Sequence, residues 1–322
     1  MMLRIRFIRG LFLIPAVILV LTSKSLALDS KVSYALSHYI MAVVHDDLGE
    51  IEKAIEEYKK VLKVDPQNSV VHLNLAASYI KNSDLPKAVE ELNIVAKLDP
   101  EAVEPHAILA VLYATQKKDK EASLEYEIAL KNASKLQPDN VEIYKSLGIV
   151  YLQQKKIQDA EKIYQLVIKL SPNDAQAYYY LASIYNELKN NNLAEVKLRK
   201  ALELKPDYDE ALNFLGYLYV EENRNLDEAE KMIRRALELS PDNGAYIDSL
   251  GWLYFKRGKT QEALVELKKA SSLLDDPVIF DHLGDAYFKL NDSGNAKASW
   301  EKSLKMDAKQ VIVKEKLERL NK

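Results

Sequence analysis

The residues that could do chemistry are weighed first, and five histidines stand out, because imidazole is the commonest metal ligand and general base. His38, His72 and His106 recur at 34-residue intervals. At equivalent places on stacked helices, such residues lie about 8–10 Å apart. Ligands of a single zinc ion must all lie within about 2.0–2.2 Å of it. His45 follows His38 by seven residues, two helical turns and about 10 Å along a helix. The histidines therefore read as packing residues, and no metal site is expected. The chain has no cysteine, which excludes thiolate metal sites and a thiol nucleophile. It carries no phosphate-binding glycine loop, no G-x-S-x-G and no H-E-x-x-H. Neighbouring acids such as Glu56–Glu57 and Glu221–Glu222 fall on helix surfaces or turns, where charges are normally solvated. We expect neither catalysis nor a cofactor.

What must position these residues is legible in a repeat. Leu250-Gly251-x-x-Tyr254 returns as Leu283-Gly284-x-x-Tyr287. With Leu250 set as position 7 of a unit, the frame slides along the chain. Position 7 reads Met41, Leu75, Leu109, Leu147, Leu181, Leu215, Leu250 and Leu283. Position 8 is small throughout, from Ala42 and Ala76 to Gly216, Gly251 and Gly284. Position 11 is His45 in the first unit and tyrosine in the others. Alanine recurs near position 20, and Pro66, Pro100, Pro138, Pro172, Pro206 and Pro241 close six units. Units begin at Ala35, Ser69, Val103, Val141, Ala175, Asp209, Gly244 and Pro277. Two helices joined by a tight turn account for the pattern. A small residue at position 8 lets them approach, so leucine at Gly216 should push them apart. Tyr58, Leu92, Tyr126, Tyr164, Leu198, Ile233, Leu267 and Trp300, at position 24, are expected to fill the space between units. The third unit carries four extra residues near 131–136, about one helical turn. That predicts a longer second helix with Ala129, Ala133 and Leu136 on one face. The sixth unit has one extra residue in 221–227, read as a longer turn.

These recurring positions resemble the tetratricopeptide repeat across residues 35–310. The resemblance implies an all-α, right-handed α-solenoid of about eight tandem helix-turn-helix repeats. Residues 311–322 place Val313, Leu317 and Leu320 at helical spacing among charges, as in a C-terminal capping helix that solvates the end of an array. Residues 28–34 are expected to be a lead-in. Residues 1–27 have Arg4, Arg6 and Arg9, an apolar run from Leu11 to Leu21, and Ser25-Leu26-Ala27. That order is the pattern of a secretory signal peptide. Its removal takes away Arg4, Arg6, Arg9 and Lys24 and no acid, moving the formal charge from −3 to −7. With no basic patch, nucleic acid is not an expected partner. Membrane contact is expected only through an uncleaved signal segment.

In the family that the repeat resembles, positions 2, 5, 9 and 12 of each first helix line a concave groove. Carried over, the C-terminal half of the groove presents Tyr179, Asn213, Tyr217, Asp248, Trp252, Asp281 and Asp285. Aromatic rings supply large contact areas, and carboxylates beside them favour a ligand bearing Lys or Arg. The expected partner is a protein or peptide segment with basic residues. The chaperone-tail clamp of the family is excluded, because Lys145 at position 5 is followed by Ile149 where that clamp needs asparagine. Asp248-Ser-Leu-Gly-Trp252 and Asp281-His-Leu-Gly-Asp285 are similar to a group of bacterial exported repeat proteins, many of them lipoproteins; this chain lacks the lipid-bearing cysteine. The resemblance implies an adaptor or assembly factor in the periplasm or cell envelope, or a secreted one. The alternative is a regulatory subunit of an envelope polysaccharide or peptidoglycan enzyme.

Overall fold

The computed structural model describes residues 30–320, and among them every regular element is an α-helix. The signal-peptide expectation, residues 1–27, lies outside the described residues. By its internal packing the chain divides into Met1–Pro100 and Glu101–Lys322. The first unit contains α1 (Ser30–Asp47), α2 (Ile51–Val64), α3 (Ser69–Lys81) and α4 (Leu85–Leu98). Helix α1 already begins within the segment 28–34 expected as a lead-in. The second unit opens with α5 (Glu104–Thr115), α6 (Asp119–Leu136), α7 (Val141–Gln153), α8 (Ile157–Leu170), α9 (Ala175–Glu187) and α10 (Asn191–Leu204). It continues with α11 (Asp209–Glu221), α12 (Leu226–Leu239), α13 (Gly244–Lys256), α14 (Thr260–Leu273), α15 (Pro277–Lys289), α16 (Ser293–Met306) and α17 (Val311–Leu320). None of the described helices is long and apolar enough to cross a membrane.

Each odd-numbered helix from α1 to α15 pairs with the helix that follows it. The turn between them has one solution, used in every unit. Gly49, Ser83, Lys117, Lys155, Lys189, Asn223, Gly258 and Asn291 all have positive φ, between 51° and 77°. All stand at position 15. The next residue's N–H donates to the position-11 carbonyl, as Lys156 does to Tyr151 and Lys259 to Tyr254. This is the left-handed close that satisfies the last carbonyls of a helix. The extra residue of the sixth unit is visible as a second left-handed residue, Asn225, with φ 49°.

Position 8 meets position 24 of the same unit. A Cβ added at Gly216 would stand 2.8 Å from Ile233 Cγ1, and one at Gly251 2.8 Å from Leu267 Cγ. At Gly284 it would stand 2.5 Å from the Trp300 ring. The large position-24 side chain is therefore seated over the small residue of its own first helix, and it also joins the next unit, as Leu267 clusters with Phe280 and Leu283. Leu198, Ile233 and Leu267 are fully buried there.

The third unit is the exception. Helix α6 has 18 residues where α4 and α8 have 14. At its start the frame holds, since His106 pairs with Glu125. One turn later it has shifted. Tyr126 is exposed, whereas Leu130 is buried with Leu147, Val150 and Tyr151 of α7. Counted back from Pro138, Leu130 stands where Leu92 stands before Pro100. The inserted turn separates two registers, one toward α5 and one toward α7. Ala129 is buried as expected, but Leu136 is exposed, because the face it was assigned to ends a turn earlier.

Candidate functional site

The site residues expected from the repeat lie on α9, α11, α13 and α15. Helix α13 packs against α11 on one side and α15 on the other. Positions 5 and 9 are separated by about one turn and share a helix face. Asn213 and Tyr217, Asp248 and Trp252, and Asp281 and Asp285 are the three such pairs.

Trp252 is buried. Its ring stacks on Phe255 at 4.8 Å and on His282 at 3.9 Å between centroids. Its indole N–H donates to Glu221, as a buried Trp requires of its polar edge. His282 Nδ1 lies 3.0 Å from Asp248 Oδ1, and both side chains are buried. Burial opposes the charged imidazole, but the Asp248 carboxylate, its hydrogen bond and the nearby Asp281 and Glu221 outweigh it, so His282 holds its proton above its ordinary range. Tyr217 is half-buried, with its ring 6.4 Å from His282. Burial, then Glu221, Asp248 and Asp281, push its hydroxyl far above the usual phenol range.

Asp281 and Asp285 meet elsewhere. Lys316 of α17 donates to Asp281 Oδ1 at 2.6 Å and to Asp285 Oδ2 at 2.8 Å. Trp300 Nε1 donates to Asp285 Oδ1 at 3.2 Å. Burial raises the proton affinity of Asp285, and Lys316 opposes that. Carboxylates withdrawn from water are costly without a partner, and here the array supplies one to the buried Asp248 and to the half-buried Asp281 and Asp285. The expectation that Asp248, Asp281 and Asp285 await a basic ligand, with Trp252 presented beside them, is therefore corrected. Trp252 is enclosed, and the three acids are already matched from within.

Tyr179, Asn213 and Tyr217 remain. Tyr179 belongs to a second aromatic group, 5.3 Å from Tyr208 and 6.1 Å from Phe214 between centroids. Burial and the nearby Glu210 raise its hydroxyl's proton affinity. Asn213 Oδ1 is buried and finds no hydrogen-bond partner among the described residues. Partial desolvation of the Glu210 carboxyl, and Asp209 beside it, raise its proton affinity.

Sequence reasoning missed His282, Glu221 and Lys316. The signal was periodic. His282 and Lys316 are 34 residues apart, so both occupy position 6 of a first-type helix. Each faces the position-5 aspartate of the preceding one: His282 meets Asp248 and Lys316 meets Asp281. The N-terminal histidines are paired differently. His38, His72 and His106 each meet one glutamate of the second helix of their own unit: Glu57, Glu91 and Glu125. No group of three or more metal-ligating side chains occurs among the described residues.

Comparison with known proteins supports the fold. Residues 279–310 match a tetratricopeptide-repeat profile. Among solved structures, a tetratricopeptide repeat protein from Parabacteroides merdae ATCC 43184 is 20% identical and superposes with a TM-score of 0.61. That match covers 80% of this chain and all of the other. The anaphase-promoting-complex hetero-tetramer Cut9–Hcn1 gives 16% identity and a TM-score of 0.55, covering 89% of this chain and 69% of the other. At such identities the likeness concerns the fold alone. Among curated proteins, none matches the chain. Residues 31–245 match the profile described as the Cilia and flagella-associated protein 70 C-terminal domain, and with the repeat positions and helix pairs described above, the chain belongs to this tetratricopeptide-repeat family.

Proposed function

We propose that the chain is a non-catalytic scaffold that binds a segment of another protein on the first-helix face of α9, α11 and α13. Asn213 carries this reading. Its buried amide oxygen has no partner among the described residues, as is also true of His106 Nε2 and Gln154 Oε1, but Asn213 alone of the three shares its helix face with the half-buried Tyr217. An orphan acceptor costs about 1–3 kcal/mol; rotation of the Asn213 side chain toward a bound peptide lets it accept from a backbone N–H or a basic side chain and relieves that cost. The half-buried rings of Tyr179 and Tyr217 offer the rigid contact area on which peptide binding depends. Binding is reversible and on a preformed surface. We place the scaffold in the bacterial envelope, as an adaptor or assembly factor. What supports this is Arg4, Arg6 and Arg9 before the apolar run 11–21, with Ser25 and Ala27 after it.

The test compares proteins retained from envelope extract by the wild type and by Asn213→Leu. Leucine is similar in size and removes the acceptor. Loss of a retained protein, with an unchanged circular dichroism spectrum and melting temperature, is the expected outcome. Equal retention would remove Asn213 from the site, and recovery of the chain from the cytosol would remove the envelope setting.

A further inference from the structure

Helix α13 begins on a pair of residues that is chemically unstable in an open chain. Asn243-Gly244 is the only Asn-Gly pair in the sequence. An asparagine side chain reacts with its own main chain most readily before glycine, because no side chain there obstructs the attacking nitrogen. The fold puts each member of the pair in place for a reason of its own. Asn243 is the N-cap of α13, and its side-chain oxygen accepts from the Ala245 N–H at 3.0 Å, a role that asparagine fills as well as any residue. Gly244 sets the start of α13 against the end of α14. A Cβ on it would stand 2.7 Å from Leu274 Cβ and 3.3 Å from the Ala270 carbonyl oxygen. Asn68 and Asn140 cap α3 and α7 in the same way, but Ser69 and Val141 follow them.

The closed unit keeps the pair apart. With ψ of 107° at Asn243, the Gly244 nitrogen is turned away from the side-chain carbon Cγ. The Asn243 carbonyl accepts from the N–H groups of Tyr246 and Ile247, both at 3.1 Å, so rotation toward Cγ breaks these bonds as well as the cap. Gly244 is itself buried, and so is every residue from 246 to 253. The first turn of α13 therefore turns over only when α13 parts from α14, a local opening of the array.

We propose that Asn243 is a site of spontaneous deamidation gated by the opening of the seventh unit, and that isoaspartate formed there stops the unit from closing again. In the open unit the Gly244 amide nitrogen loses its proton to solvent base and bonds to Asn243 Cγ. The bond from Cγ to the side-chain nitrogen breaks, and that nitrogen leaves as ammonia. Water then opens the cyclic imide at either carbonyl. One product is aspartate, which still caps the helix. The other is isoaspartate, which routes the main chain through Cβ and Cγ and so lengthens it by a methylene beside Gly244. There is no room for it, since not even a Cβ fits at Gly244.

The test follows the full chain by peptide mass spectrometry at mildly alkaline pH, scoring the mass gain that replaces an amide by an acid and separating isoaspartate from aspartate. The folded chain is expected to convert Asn243 about tenfold or more slowly than the same chain unfolded in urea. Leu267→Ala, which removes the side chain seated over Gly251, is expected to speed conversion in the folded chain about tenfold or more, while Asn68 and Asn140 keep their amides. Should that variant not fold, sub-denaturing urea applied to the wild type opens the unit in its place. Chains enriched in isoaspartate are expected to refold to a lower melting temperature than unconverted ones. Each of four results overturns the proposal: conversion of the folded chain at the unfolded rate; no acceleration by either means of opening; equal conversion at Asn68 and Asn140; or an unchanged melting temperature for the isoaspartate chains.

Discussion

His282 shows how one residue's chemistry is set by the repeat. It lies buried against Trp252 and holds its proton more tightly than a free imidazole because Asp248 of the preceding unit faces it. A group whose proton affinity rises on folding stabilises the fold fully below its unfolded value, about 6.5 for histidine. That contribution is lost as pH climbs through the higher folded value. Stability should therefore fall as pH rises from 6 to 9. Asp248→Asn should lower stability by about 3 kcal/mol at pH 6, since it leaves a buried cation without its partner, and should flatten the slope. Denaturant melts at both pH values check this, and an unchanged slope in the variant would show that the pair does not carry it. Trp252 was legible as a large aromatic at a groove position. Its enclosure was not, because the covering ring belongs to His282, 30 residues later, and nothing local signals the contact. Asn213, Tyr217 and Tyr179 were placed by the same frame, and their part in binding is the proposal made above.

The helix pair is the element in which most of the fold could be read. Leucine at position 7, a small residue at 8 and the closing prolines mark it without ambiguity. The left-handed turn at position 15 was hidden. Only Gly49 and Gly258 are glycines there; elsewhere lysine, serine or asparagine adopts the same backbone, and nothing in those side chains announces it. The structure makes a specific prediction from this. Lys155 and Lys189 have φ of 57° and 60°, a conformation that costs an L-residue about 1–2 kcal/mol. Glycine removes that cost and adds about 0.5–1 kcal/mol of unfolded-state entropy. Lys155→Gly and Lys189→Gly should each stabilise the fold by roughly 0.5–1 kcal/mol, read from chemical denaturation. A loss of stability in both would contradict the turn. The lengthened α6 was predicted in length but not in register, because spacing cannot say on which side of an insertion a frame resumes. Leu130, buried against α7, supplied that answer.

At the scale of the molecule, the second unit brings α11, α13, α15 and α17 together and matches their acids from within. Lys316 shows why a C-terminal helix belongs to the array: it neutralises Asp281 and Asp285, which would otherwise end the stack as half-buried, uncompensated charge. Three buried polar atoms among the described residues keep no partner, His106 Nε2, Gln154 Oε1 and Asn213 Oδ1, and of these Asn213 stands on the first-helix face with Tyr217. The most direct test installs the photocrosslinker p-benzoylphenylalanine at Tyr217, and at the exposed Lys268 on α14 as a control, in full chains expressed in living cells. Illumination should give a discrete adduct with another protein from position 217 and none from 268. Equal adducts from both, or one from 268 alone, would contradict the assignment of the binding face.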